Sequence, residues 1–151
     1  MSRITTRVTP RRALPQELPA LSLTAEQRAR THMLVSLLLD YPDDVWFARL
    51  PALRESLPGL PEKLIEAFTT FIDTAEHEGK LEWQRLYVTT FDLKRKCSLY
   101  LSYYATGDTR RRGVALVTFL EAYRAAGWEF DSNDLPDFLP AVLEFSALST
   151  S

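Results

Sequence analysis

From Thr24 onward, apolar residues recur at helical rather than strand spacing. Met33, Leu34, Leu37 and Leu38 form one stripe, and Thr24 with Gln27 has the spacing of a capping box at its start. Tyr41-Pro42 ends this first helix, because a residue before proline avoids the α region. Asp43 can cap a second helix carrying Val45, Trp46 and Leu50, which Pro51 is expected to restart or kink. After the break at Pro58, Gly59 and Pro61, a third helix carries Leu64, Ile65, Phe68, Phe71, Ile72 and Ala75 and stops before Gly79. Residues 81–91 continue helically, 98–105 form a short aromatic segment, and further helices are expected over about 109–126 and 136–148. Tyr87-Val88-Thr89-Thr90 resembles a strand locally, but it has neither a period-2 partner nor a hairpin turn nearby. The pattern therefore predicts an all-α domain over 24–151, a single bundle of six or seven helices. Residues 1–23, with four arginines and three prolines, read as a flexible basic arm.

Composition narrows the chemistry. At 151 residues, 46% hydrophobic and 25% charged, the chain suits one globular domain. Cys97 is the sole cysteine, so no intramolecular disulfide can form and a reducing compartment, the cytoplasm, is expected. With His32 and His77 as the two histidines, the usual structural zinc sets are excluded, and neither a metal nor a cofactor is expected. No apolar run approaches the ~20 residues of a membrane span. Arg11-Arg12 suggests an export signal, but Pro15, Glu17 and Pro19 interrupt the apolar region such a signal needs.

The sequence bears on three classes of function. The five glycines make neither a dinucleotide-binding turn nor a phosphate loop, and no nucleophile elbow occurs, so the chain is not expected to be an enzyme. The basic block 94–112, with Lys94-Arg95-Lys96 and Arg110-Arg111-Arg112, would attract phosphates. Helical phase argues against one basic strip: with Leu116 at the centre of the apolar stripe, Arg110 and Arg111 fall at about 120° and 220°. Arg112 points instead toward the stripe and needs a partner, for which Asp92, Asp137 and Glu144 are candidates. A helical regulator binding nucleic acid or another partner through this block is the alternative reading. The third class is a groove for a polypeptide, built from the chain's many aromatic residues.

The most informative stretch is Asn133 to Phe145. Asn133 or Asp134 can cap, Pro136 suits a first helical turn, and Asp137 sits where a carboxylate beside a helix N-terminus is favoured. Pro140 lacks a backbone donor, so the regular helix is expected to continue from there, leaving Asp137 and Phe138 at a rigid corner.

Four blocks in order carry a resemblance. They are Leu38-Leu39-Asp40-Tyr41-Pro42-Asp43, Tyr87 through Asp92, Gly107-Asp108-Thr109-Arg110-Arg111-Arg112-Gly113, and Leu135 through Pro140 with Leu143-Glu144-Phe145. Together they resemble the nitrate reductase molybdenum cofactor assembly chaperones of the NarJ/NarW type, within the redox-enzyme maturation chaperones; Cys97 through Tyr100 and the triple arginine are most similar to actinobacterial members. The resemblance implies an all-helical, non-catalytic, cytoplasmic chaperone. Its partner would be the catalytic (alpha) subunit of respiratory nitrate reductase, including that subunit's N-terminal segment, and its role to hold the subunit competent for molybdenum cofactor insertion and to delay membrane docking. It implies neither nucleic acid nor membrane insertion. Carried over residue by residue, it nominates Asp137, Phe138, Tyr87, Phe91, Asp92, Arg110 and Arg111 for client contact. Gly107, Asp108, Arg112, Gly113, Leu135, Pro136, Pro140 and Glu144 become structural motif positions, with Gly113 expected to allow close helix approach. Related chaperones often carry a histidine after the Pro-Asp pair where this chain has Phe138, an aromatic without that polar group. Family members also carry further helical sequence after the Leu143-Glu144-Phe145 block, so apolar surface is expected near it. The sequence leaves the oligomeric state open.

Overall fold

The structure, a computed structural model, describes residues 20–107 and 109–149. Most of the expected basic arm, and Asp108, lie outside the described residues. Those residues form seven α-helices: α1 (Ala25–Leu38), α2 (Asp44–Glu55), α3 (Glu62–Glu78), α4 (Lys80–Tyr87), α5 (Ser102–Thr106), α6 (Arg111–Ala125) and α7 (Leu139–Leu148). No strand occurs among them; one isolated antiparallel bridge pairs Tyr100 with Phe138. The fold is an all-α bundle.

Local chemistry explains most boundaries. The Thr24 side chain accepts from Gln27 N while the Gln27 side chain accepts from Thr24 N, a complete capping box. Asp43 caps α2 by accepting from Trp46 N at 2.9 Å. Gly79, at φ +81°, turns the chain between α3 and α4 in a conformation that side-chain-bearing residues avoid. Pro51 does not restart the helix, since α2 runs through it. The helix expected over 81–91 also differs: α4 ends at Tyr87 and widens into a π-helical turn, Val88–Asp92, closed by Leu93 N donating to Val88 O at 3.1 Å.

The core lies among the first three helices. Leu34 and Leu38 of α1, Trp46, Leu50 and Leu53 of α2, and Phe68, Ile72 and Ala75 of α3 are buried together with Leu57 and Leu60 of the α2–α3 connection. Helix α7 packs antiparallel along α1: Ser36 Oγ donates to Pro140 O at 2.6 Å, and His32 Nδ1 lies 2.9 Å from Ser146 Oγ. Helix α6 packs against α5 and buries Tyr123 alone, with Leu116, Phe119 and Leu120 half-buried and Val114 and Val117 exposed. Arg110 and Arg111 are exposed and Arg112 half-buried, as the helical phase predicts. Gly113 does not serve close helix approach among the described residues, because a Cβ there would meet nothing within 4 Å.

Ile72 has no exposed surface. Ile72→Ala is expected to lower the unfolding free energy by about 2–5 kcal/mol, measured by urea denaturation, because the surrounding helices cannot collapse fully into the space left.

Candidate functional site

Two cavities of about 500 and 410 Å³ lie side by side and share Asp40, Arg49, Asp134 and Phe138, so they form one trough. The smaller is walled by the end of α1, the start of α2, the π-helical turn and the segment around Tyr100. Its aromatic lining is Tyr41, Trp46, Tyr87, Phe91, Tyr100 and Phe138. The π-helical turn presents part of that wall, with the Tyr87 and Phe91 rings 4.9 Å apart, and Tyr41 meets Tyr87 edge-on at 5.4 Å. The larger cavity lies between α1, α7 and the loop after α6, and is lined by Tyr123, Trp128, Phe130 and Phe145.

The charge in the trough is one-sided. Asp40, Asp43, Asp92, Glu129, Asp131, Asp134 and Glu144 line it, against Arg49 alone. Arg49 Nη1 reaches Asp40 Oδ2 at 4.0 Å. Burial pushes the Asp40 carboxyl above its ordinary value; Arg49 opposes this, and Glu144, Asp134 and Asp43 add to it. Burial likewise pushes the Tyr87 hydroxyl up to about 12, with Asp92 and Asp40 contributing, so it remains a neutral hydrogen-bonding group at physiological pH.

Beneath the trough, two distant segments are tied together. Leu101 N donates to Asp137 O at 3.1 Å and Leu139 N donates to Leu99 O at 2.7 Å, around the Tyr100–Phe138 bridge. The fully buried Asp137 carboxylate accepts through Oδ2 from Ser102 N at 2.9 Å and from Ser102 Oγ at 2.6 Å. Arg112 Nε donates to Ser102 Oγ at 3.3 Å, and its guanidinium carbon lies 5.7 Å from the Tyr100 ring centroid. Tyr123 donates its hydroxyl to Pro136 O. Asp137 Oδ1 is buried without a hydrogen bond from a described residue.

The structure thus brings Tyr87, Phe91, Asp92 and Phe138 into one cavity and Glu144 into the other. Asp137 lines neither, its carboxylate being engaged by Ser102 below rather than by the N-terminus of α7. Arg110 and Arg111 are exposed and do not line the trough, and neither do Lys94 and Lys96. Arg112 reaches Asp137 through Ser102, which helical phase did not anticipate as a go-between. Pro136 and Pro140 are buried at the corner, while Leu135 is exposed and Gly107 takes a positive φ of +59°. Sequence reasoning missed Asp40, Tyr41, Trp46, Arg49, Tyr100 and Asp134 as lining residues. Asp40 and Tyr41 lay in a block already singled out, Asp134 in the Asn133–Phe145 stretch and Tyr100 in the Cys97–Tyr100 run; Trp46 and Arg49 carried no signal of a site, because folding alone sets them on the trough.

A helical bundle with an aromatic, acidic trough offers the kind of groove in which proteins take up polypeptide segments. Sequence comparison agrees with this class. The profile of the nitrate reductase delta subunit family matches residues 54–151. The chain is 32% identical over 126 residues to the probable nitrate reductase molybdenum cofactor assembly chaperone NarJ of Bacillus subtilis, covering 83% of this chain and 68% of that protein. It is 33% identical over 118 residues to the corresponding NarJ of Escherichia coli, covering 76% of this chain and 50% of that protein. To the probable chaperone NarW of Escherichia coli it is 31% identical over 112 residues, covering 74% of this chain and 47% of that protein. The chain belongs to the nitrate reductase delta subunit family. These relatives are named as assembly chaperones, not as catalysts, and the chain spans about half the length of the two from Escherichia coli.

Asp137→Ala leaves the buried Ser102 N–H and O–H without their acceptor and is expected to cost about 2–3 kcal/mol of stability by urea denaturation, with Asp137→Asn costing less because one acceptor remains. The raised Asp40 carboxyl yields a second expectation. Its protonated form is favoured by folding, so stability is lost as pH rises from the unfolded value of 3.8 through the higher folded value. Asp40→Asn, neutral throughout, should therefore be more stable than the parent at pH 7, with the difference closing toward pH 4; denaturation midpoints across that range check it.

Proposed function

We propose that the chain is a cytoplasmic, system-specific chaperone that binds the apo catalytic subunit of respiratory nitrate reductase, including its N-terminal segment. It holds that subunit competent for molybdenum cofactor insertion and delays its assembly at the membrane. The observation that carries this reading is the trough itself, with aromatic walls that suit the apolar face of a peptide and a rim of carboxylates. An N-terminal segment brings an α-amino group that is largely protonated near neutral pH, which matches the sign of the trough. Membership of the delta subunit family and the names of its relatives supply the client. No helix among the described residues is long and apolar enough to cross a membrane. In this reading Asp137 acts by holding the corner, and Phe138, Tyr87, Phe91 and Asp92 act by contact. The exposed Arg110 and Arg111 serve the rim of a wider client surface, outside the peptide trough.

Calorimetric titration with a peptide from the N-terminus of the cognate catalytic subunit, against a scrambled control and at two salt concentrations, tests the proposal. Sequence-dependent binding is expected, and Phe91→Ala or Phe138→Ala should weaken it by about tenfold, as truncation of an aromatic anchor does in a peptide groove. Indifference to the scrambled order would overturn it. Binding of DNA or RNA that falls steeply with salt would favour the basic block instead.

A further inference from the structure

The trough is divided at its middle. Its two compartments meet at Asp40, Arg49, Asp134 and Phe138, and the Asp40–Arg49 pair stands on that boundary. The pair is loose: nitrogen and oxygen are 4.0 Å apart, and the side chains are 35% and 49% exposed for Arg49 and Asp40. Exposed pairs of this kind contribute little to folding, so separating them costs little. The carboxylate nevertheless needs a cation. The charged groups acting on Asp40 besides Arg49 are Glu144 from α7, Asp134 from the loop before it, and Asp43 from the start of α2, all of its own sign. A neutral or anionic group displacing Arg49 would leave Asp40 facing three carboxylates, and an apolar one would also strip it of water. On either side the walls are aromatic, Tyr87 and Phe91 in one compartment, Tyr123 and Phe145 in the other.

Resting on the peptide-binding reading above, we infer that the Asp40–Arg49 pair is an exchangeable divider. A lysine or arginine of the bound segment replaces Arg49 at Asp40, and apolar side chains before and after it fill the two compartments. The trough then selects an apolar–cation–apolar order, and Asp40 is the residue that reads its centre. Arg49 competes with the client for that carboxylate and keeps it compensated when no client is bound.

The test titrates the full chain with the client N-terminal peptide and with versions in which each lysine or arginine is replaced in turn by norleucine. One replacement should weaken binding to the parent chain by about tenfold and leave binding to Asp40→Asn nearly unchanged, the signature of a paired interaction. Arg49→Gln should bind the unmodified peptide several-fold more tightly and show no such gain with the critical norleucine peptide. Circular dichroism verifies that both variants fold; should Asp40→Asn fail to, the Arg49→Gln comparison decides alone. If the peptide binds but every replacement is tolerated, or if the loss is as large in Asp40→Asn as in the parent, the inference is wrong while the peptide-binding reading stands. If no version of the peptide binds the folded chain, that reading falls and the inference with it.

Discussion

The tie between residues 99–102 and 136–139 is the constraint on which the trough depends. Helices α5 and α6 share little apolar burial with the α1–α3 core, which α7 joins by packing along α1: α6 buries Tyr123 alone, and α5 is five residues long. Such elements would not be held at a defined angle by hydrophobic packing alone. Two backbone hydrogen bonds and the buried Asp137 carboxyl, which accepts twice from Ser102 through Oδ2, supply the missing definition. From that tie, Tyr100 and Phe138 are set side by side with ring centroids 5.2 Å apart, and they line the trough.

Above the tie the interactions change character. Aromatic rings meet edge-on, and carboxylates gather with Arg49 as the one cation among the described residues lining the trough. An excess of one charge raises local potential and speeds encounter with an oppositely charged partner, while aromatic surface supplies affinity that is less sensitive to salt. The π-helical turn belongs to this upper layer. It inserts an extra residue per turn at the point where α4 would otherwise have carried Phe91 on a regular α-helical path.

The helices themselves were largely legible in the sequence. The capping box at Thr24, the Asp43 cap and the Gly79 stop are local devices, and local chemistry reads locally. Pro51 does not end α2, because the hydrogen bond that a proline removes from a helix is offset by the packing of the buried neighbours Leu50 and Leu53. The π-helical turn was not legible, since nothing in Val88-Thr89-Thr90 marks a change of helical pitch. Of the site, the family blocks led to Tyr87, Phe91, Asp92 and Phe138. They did not separate the residue that lines the trough from its neighbour that holds it up: Asp137 and Phe138 are adjacent in sequence, but one is fully buried against Ser102 and the other faces the cavity. That distinction depends on Ser102, 35 positions away, and no local pattern announces it.

The division into a tightly bonded base and a loosely paired rim has a physical consequence for a protein that must both hold and let go. If the carboxylates of the trough were each matched by a cation of the same chain, a client would have to break those pairs and would gain only what it replaced. If the base were as loosely bonded as the rim, the aromatic walls would shift with each encounter and the orientation of the client would be lost to conformational entropy. Placing the bonded polar chain of Asp137, Ser102 and Arg112 beneath, away from the trough lining, separates what holds the corner from what faces a client. Leaving the rim with seven carboxylates and a single arginine keeps a client's binding energy tied to charges that it must itself supply. In the proposed role, fixed walls would make binding selective, and charges within reach of water would keep it reversible.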